Sequence, residues 1–295
     1  MRVNHRTLGR TGVEVSEIGF GCGPTAGLMV TGTREAQLLA LTRALDAGVS
    51  HFDTAPTYGE GVSERNLGQC LAVLGVKPVV ATKVALQIGD LDDAAAAVER
   101  SVEASLARLG MPFVTVVHLH NRVGRERSAS GPGTGAVLTV DDVLGRGGVA
   151  DGFQRVHRRG LARVFGCTAF GGDMGAVGDL VDSGAFDVLA VHYSLLNPTG
   201  WSPAPPGSDV SDYGGIGARA ARAGLGTVAL RVLEGGALAG EAETAVRFAL
   251  SNPEVSVVVV GFSDATQVAD AARWSASGPL PDALLERILH GAYRL

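Results

Sequence analysis

SHFDTAPTYGEGVSERNLGQCLAVLGVKPVVATKV, residues 50–84, decides the fold. SHFDTA and PVVATKV are short apolar runs bounded by turn residues and read as strands, while SERNLGQCLAVLG between them reads as a helix. The same alternation runs outward in both directions. EIGFGC (17–22) is a strand, and TREAQLLALTRALDAG (33–48) is a helix with Thr33 as its cap and apolar residues at 38, 39, 41 and 45. LDDAAAAVERSVEASLARLG (91–110) is a long helix and FVTVVHLH (113–120) a strand.

The second half keeps the rhythm. DDVLGRGGVADGFQRVHRRG (141–160), MGAVGDLVDSG (174–184), YGGIGARAARAG (213–224), EAETAVRFALSN (241–252) and ATQVADAARW (265–274) are helical, and between them lie ARVFGC, DVLAVHY, GTVALRV and VSVVVVG. Strands near 17, 50, 79, 114, 162, 187, 227 and 256, each followed by a helix, predict an α/β chain. The expected fold is a closed (β/α)8 TIM barrel forming one domain over 1–295. No Gly-x-Gly-x-x-Gly follows the first strand, which argues against a doubly wound dinucleotide fold. RTLGRTGVEVS (6–16) reads as a hairpin turning at Gly9–Gly12, placed to close the amino-terminal bottom of the barrel.

Composition removes several classes. Net charge is −5 with scattered basic residues, so no footprint for nucleic acid or an anionic membrane is expected; RVHRRG (155–160) reads as a solvated helix end. The start lacks the apolar core of a signal peptide and VSVVVVGF is too short to span a bilayer, which predicts a cytoplasmic protein. Cys22, Cys70 and Cys167 are too few and too far apart for a disulfide framework or a zinc site, so no metal is expected. Cys22 and Cys167 sit at strand ends, where they either pack as small buried residues or line a pocket. Two Gly-, Pro- and Ser-rich stretches, 121–135 and 197–212, follow strands and are candidates for a substrate lid. Trp201, Tyr213 and His192 are candidates for a partly aromatic pocket wall.

A parallel barrel gathers the carboxyl ends of its strands at one mouth. Asp53, Lys83 and His120 end strands two, three and four, and Tyr58 follows a short turn. A tyrosine with a pKa of about 10 is a poor acid near neutrality; an ammonium held beside it by a carboxylate makes it useful. His118, two residues before His120, shares its face one layer deeper and reads as a supporting residue.

With these residues in place the chain resembles the aldo-keto reductases. GFGC, FDTAPTYGEGVSERNLG, ATKV, VVHLHN, FGCTAF, HYSLLNP, EGGALAG and AVRFALSNPEVSVVVVG follow that family's signature segments in order along nearly the whole chain. The resemblance implies hydride transfer between NADP(H), or NAD, and a small carbonyl or alcohol. Tyr58 would then be the general acid, Lys83 paired with Asp53 would lower its pKa, and His120 would orient the carbonyl. It also implies cofactor contacts at Gly21, Cys22, Thr168, Tyr193, Arg231, Gly261, Ser263 and Gln267. Here Thr168-Ala169 replaces the family's usual Ser-Asn, Ala190 its glutamine, and Leu230-Arg231 its stacking aromatic; Ala271 stands where an asparagine often holds adenine. Only AGE separates EGGAL from the next helix, so the family's belt over the pyrophosphate is shortened. Arg231 either grips phosphate or pairs with Glu234. These losses leave a second reading, a non-redox elimination, epimerisation or cyclisation without cofactor that reuses the same acid–base set. A third, a noncatalytic subunit, has no use for a complete proton-transfer set.

Overall fold

The computed structural model describes residues 2–129 and 135–291. Eight parallel strands close into a barrel: β1 (Ile18–Gly21), β2 (His51–Asp53), β3 (Val79–Val84), β4 (Val114–Leu119), β5 (Ala162–Ala169), β6 (Val188–His192), β7 (Gly226–Leu230) and β8 (Val257–Gly261). Each strand pairs with its successor, and β8 pairs with β1 through Val258↔Ile18 to Gly261↔Gly21. The surrounding helices are α1 (Arg34–Asp46), α2 (Val62–Leu74), α3 (Ala94–Leu109), α4 (Val149–Arg158), α5 (Met174–Asp182), α6 (Ile216–Arg222), α7 (Ala242–Leu250) and α8 (Ala265–Ala276). Thr33 caps α1 as its position predicts, accepting from the Ala36 amide. The segment expected as one helix over 141–160 is two, Val140–Leu144 and Val149–Arg158, because Gly145, Gly147 and Gly148 interrupt it.

Strand alternation sorts the side chains into two cores. Ile18, Phe20, Phe52, Val80, Val117, Leu119, Phe165, Leu189 and Val191 face the helices, whereas Ala81, Val116, Val164, Val188, Ala190, Val228 and Val257 fill the lower lumen. The predicted hairpin forms from His5–Thr7 and Glu14–Ser16 and sends Leu8, Val13 and Val15 into that lumen core, stoppering the amino-terminal end. Gly9 at its turn has φ +52°, and a Cβ there would lie 2.1 Å from the Gly226 nitrogen, so only glycine lets the plug seat against β7.

The two long loops differ from expectation in kind. In the first, Val123–Gly124 pairs with Leu138–Thr139; residues 130–134, which carry much of its predicted lid, lie outside the described residues. The second is pinned at its base: Asn197 Nδ2 and Thr199 Oγ1 both donate to the Ser211 carbonyl at 2.9 Å, and the Tyr213 amide donates to Thr199 Oγ1 at 3.0 Å. Trp201 packs on Tyr193 with ring centroids 4.5 Å apart, which makes it an anchor for this loop. No helix among the described residues is long and apolar enough to cross a membrane.

Candidate active site

Continuing each strand's alternation upward, the positions facing the mouth are Gly21, Asp53, Lys83, His120, Thr168, His192, Leu230 and Gly261. The Lys83 ammonium donates to Asp53 Oδ1 at 2.6 Å and to the Thr54 carbonyl at 2.9 Å, and its nitrogen stands 5.0 Å from the centre of the Tyr58 ring. The Tyr58 and His120 rings meet edge to face, centroids 6.1 Å apart. Four side chains from β2, the β2–α2 turn, β3 and the end of β4 therefore share one mouth, as their sequence positions predict.

Electrostatics departs from expectation at Tyr58. Burial pushes its phenol above the ordinary value; Lys83 pulls it down by less than burial raises it, and Asp53 adds a smaller upward push. The phenol thus keeps its proton at neutral pH, and the ammonium beside it favours the phenolate only as the proton leaves. Burial alone would depress Lys83, but Asp53 and then Tyr58 raise it well above its usual range, so it stays charged. Burial, reinforced by Lys83, holds His120 at about 3, a neutral imidazole. Its Nδ1 is buried with no partner. A proton on Nε2 leaves a lone pair rather than an N–H orphaned at Nδ1 and lets the ring donate toward the mouth.

Beneath this layer His118 and His51 are fully buried, and all four ring nitrogens lack partners. Burial is the first cause that keeps both neutral, His118 well below its ordinary value and His51 at about 4. His118 fits because β5 carries glycine opposite it: a Cβ on Gly166 would lie 2.2 Å from His118 Nδ1. The two rings raise a neutral polar floor under Lys83.

The far side of the mouth corrects several expectations. Tyr193 falls on the outward face of β6, with Leu189 and Val191, and its ring sits between Trp201 and Phe248 (5.2 Å), turned from the lumen. Cys22 lies one residue past inward Gly21, on the helix side, 1% exposed, with its thiol on the Phe20 carbonyl at 3.8 Å. Both are packing residues here. Gly21 lets β1 meet β8 closely and Gly261 admits the turn after β1: Cβ atoms there would lie 3.0 Å from Val259 Cγ1 and from the Ala26 Cβ. Thr168 faces the mouth but turns its hydroxyl to the His120 carbonyl at 3.3 Å. Ser263 and Gln267 bond each other across the first turn of α8, amide to Oε1 at 2.9 Å.

Arg231 makes no ion pair with Glu234. Its guanidinium instead lies over Phe170, 5.5 Å from the ring centre. Glu234 accepts from Ser194 Oγ and meets His192 Nε2 at 2.6 Å, and His192 Nδ1 meets the Tyr213 hydroxyl at 3.2 Å. Burial pushes the Glu234 carboxyl up, but these hydrogen bonds hold it below its usual range. Arg231 and Glu234 both sit at positive φ, +59° and +47°, and the third such non-glycine among the described residues, Glu60, adjoins the Tyr58 turn. Backbone strain is concentrated around the mouth. Glu234 and Ser194 escaped the sequence reading as site residues; the two-residue alternation Val188, Ala190, His192 was the signal that His192, not Tyr193, looks inward.

The family model described as the Aldo/keto reductase family matches residues 17–244. The chain belongs to the aldo/keto reductase family. It is thereby an NAD(P)H-dependent oxidoreductase by family. An L-galactose dehydrogenase of Arabidopsis thaliana is 27% identical over 292 residues, covering 90% of this chain and 86% of its own. A probable voltage-gated potassium channel subunit beta of Oryza sativa is also 27% identical, covering 91% and 90%. Among solved structures, the holo form of an aldo-keto reductase from Bacillus halodurans shares the fold with a TM-score of 0.74 at 19% identity, covering 99% of this chain and 97% of that one.

Proposed function

We propose that this aldo/keto reductase interconverts a small carbonyl compound and its alcohol with NADP(H), NAD(H) being the other coenzyme to be tried, and that Tyr58 is its general acid and base. The observation that carries the reading is the buried Lys83 ammonium held between Asp53 and Tyr58. When bound, the nicotinamide supplies or accepts the hydride. In the reducing direction the substrate oxygen lies between Tyr58 and the free Nε2 edge of His120. As negative charge develops there, Tyr58 gives up its proton, and the phenolate left behind is stabilised by the buried Lys83 ammonium beside it. Asp53 keeps the lysine charged and aimed. Neutral His120 donates a hydrogen bond without competing for the proton.

The residues present fit a dinucleotide at its phosphate end. Arg231 is exposed with no carboxylate partner among the described residues, and α8 begins directly after β8 beside Ser263 and Gln267. At the nicotinamide end Thr168 and His192 take the places of the amide side chains that Ala169 and Ala190 do not provide. Fluorescence titration with NADPH and NADH, followed by steady-state reduction of aldehydes, tests the proposal. Tyr58→Phe is expected to lose turnover by at least about a hundredfold with its circular dichroism intact. Turnover that persists without either nicotinamide would favour the non-redox reading; ordinary turnover in Tyr58→Phe would refute both.

A further inference from the structure

Arg122 is the unexplained cation of the mouth. It follows His120 by two residues, just past the end of β4, where the chain bends at Asn121. Its backbone is held on both sides: its carbonyl accepts from the Leu138 amide at 3.0 Å, and the next carbonyl, of Val123, accepts from Asp173 at 2.8 Å. Its side chain leans across the loop after β5, where a Cβ on Gly171 (φ +78°) would lie 3.2 Å from Nε. Nε is buried without an acceptor, and no ion pair or hydrogen bond engages the guanidinium among the described residues. Its neighbours Arg125 and Arg127 are both paired, with Asp173 and Asp142.

The carboxylates of the mouth are engaged elsewhere. Glu234 is occupied by His192 and Ser194, and Tyr213, bonded to that histidine, feels both Arg122 and Arg231. Asp53 is spent on Lys83. The Arg122 guanidinium thus stands at the mouth with no ion-pair partner among the described residues, and a planar cation with five donors is satisfied best by a planar oxyanion.

We propose that Arg122 binds an oxyanion of the substrate, and that the substrate of this enzyme is a carbonyl compound bearing a carboxylate at the end remote from the reacting carbon. The inference rests on the reductase reading for the carbonyl and on Arg122 alone for the anion. An aromatic aldehyde with a para carboxylate carries both groups on one rigid ring and serves as the probe.

The test is calorimetric titration of the whole protein, with and without NADP⁺, using 4-carboxybenzaldehyde and its neutral analogue methyl 4-formylbenzoate. Wild type is expected to bind the acid at least about tenfold tighter than the ester. Arg122→Gln should bring the ratio close to one, Arg122→Lys should leave it intermediate, and Gly171→Ala, which crowds an intact Arg122, should lower it too. Equal affinity in wild type, or a ratio that survives Arg122→Gln, overturns the proposal. A fall in NADP⁺ affinity in Arg122→Gln with the acid-to-ester ratio unmoved also overturns it, by assigning the guanidinium to the coenzyme's phosphates. An Arg122-dependent preference in a protein that reduces neither aldehyde with NADPH or NADH would uphold the anion site while refuting the reductase reading.

Discussion

Replacing Lys83 by methionine removes the charge and keeps the length of a side chain that is 1% exposed. Asp53, 5% exposed, has Lys83 as its ion-pair partner at 2.6 Å, so the variant leaves a carboxylate buried without a counter-charge. Breaking one side of such a pair costs about 3–5 kcal/mol. The Thr54 carbonyl, 2.9 Å from the ammonium, loses its donor as well, a further cost of about 1 kcal/mol. The companion variant Asp53→Asn/Lys83→Met removes both charges and retains mainly the Thr54 loss, so it should sit only about 1–2 kcal/mol below wild type. Adding Asp53→Asn to Lys83→Met should therefore recover roughly 2–5 kcal/mol in urea unfolding, and the Asp53→Asn single variant completes the double-mutant cycle. In a thermal scan Lys83→Met should melt roughly 8–12 °C below wild type, at about 2 °C per kcal/mol for a chain of this size. The cycle also separates stability from chemistry, because the double variant, though folded, lacks the cation that stabilises the phenolate and should not turn over. A single variant within about 1 kcal/mol of wild type, or additive losses in the double, would show that the pair is not the buried charge couple described here.

Acid should unfold this protein through its buried histidines. His51 titrates at about 4 and His120 at about 3 in the fold, against about 6.5 in the unfolded chain. Below 6.5 the unfolded state binds the extra protons, so stability is lost as pH falls, at about 1.4 kcal/mol per pH unit for each ring. His51 alone should therefore cost roughly 3 kcal/mol by pH 4, and a His51→Gln variant should show a slope shallower by about one proton; equal slopes between pH 6 and 4 would contradict the burial argument. Gly166→Ala drives a methyl to 2.2 Å from His118 Nδ1 and 2.9 Å from the Val188 carbonyl. It should cost about 1–3 kcal/mol and slow turnover by tilting the floor under Lys83, with His118→Ala partly rescuing both. Asn121, fully buried between His120 and Arg122, exchanges three hydrogen bonds of 2.8 Å with the backbone of Leu86 and Ala136. Asn121→Ala should cost about 3 kcal/mol in chemical unfolding, and a loss below about 1 kcal/mol would mean that those backbone groups find other partners.

Much of the architecture was legible along the chain because it is local. Each strand is a short apolar run, each helix has its own period and cap, and eight repeats leave few ways to close a sheet; Thr33, the Gly9–Gly12 plug and the order Asp53, Tyr58, Lys83, His120 all follow from that. Glycines at 145, 147 and 148 broke a helix that periodicity alone carried through, since their cost is paid residue by residue and not by pattern.

What the sequence by itself determined is the barrel, its family and the four side chains at one mouth, because strand ends in a parallel barrel must converge. Only the tertiary structure decided how those groups behave. The net upward push on Tyr58, the neutral His51–His118 floor seated by Gly166, the outward turn of Tyr193, the capture of Glu234 by His192 and Ser194, and the unpaired guanidinium of Arg122 all depend on burial and on distances between strands remote in sequence. Desolvation and pairwise charge act through space, and neither is written in the order of residues along one strand.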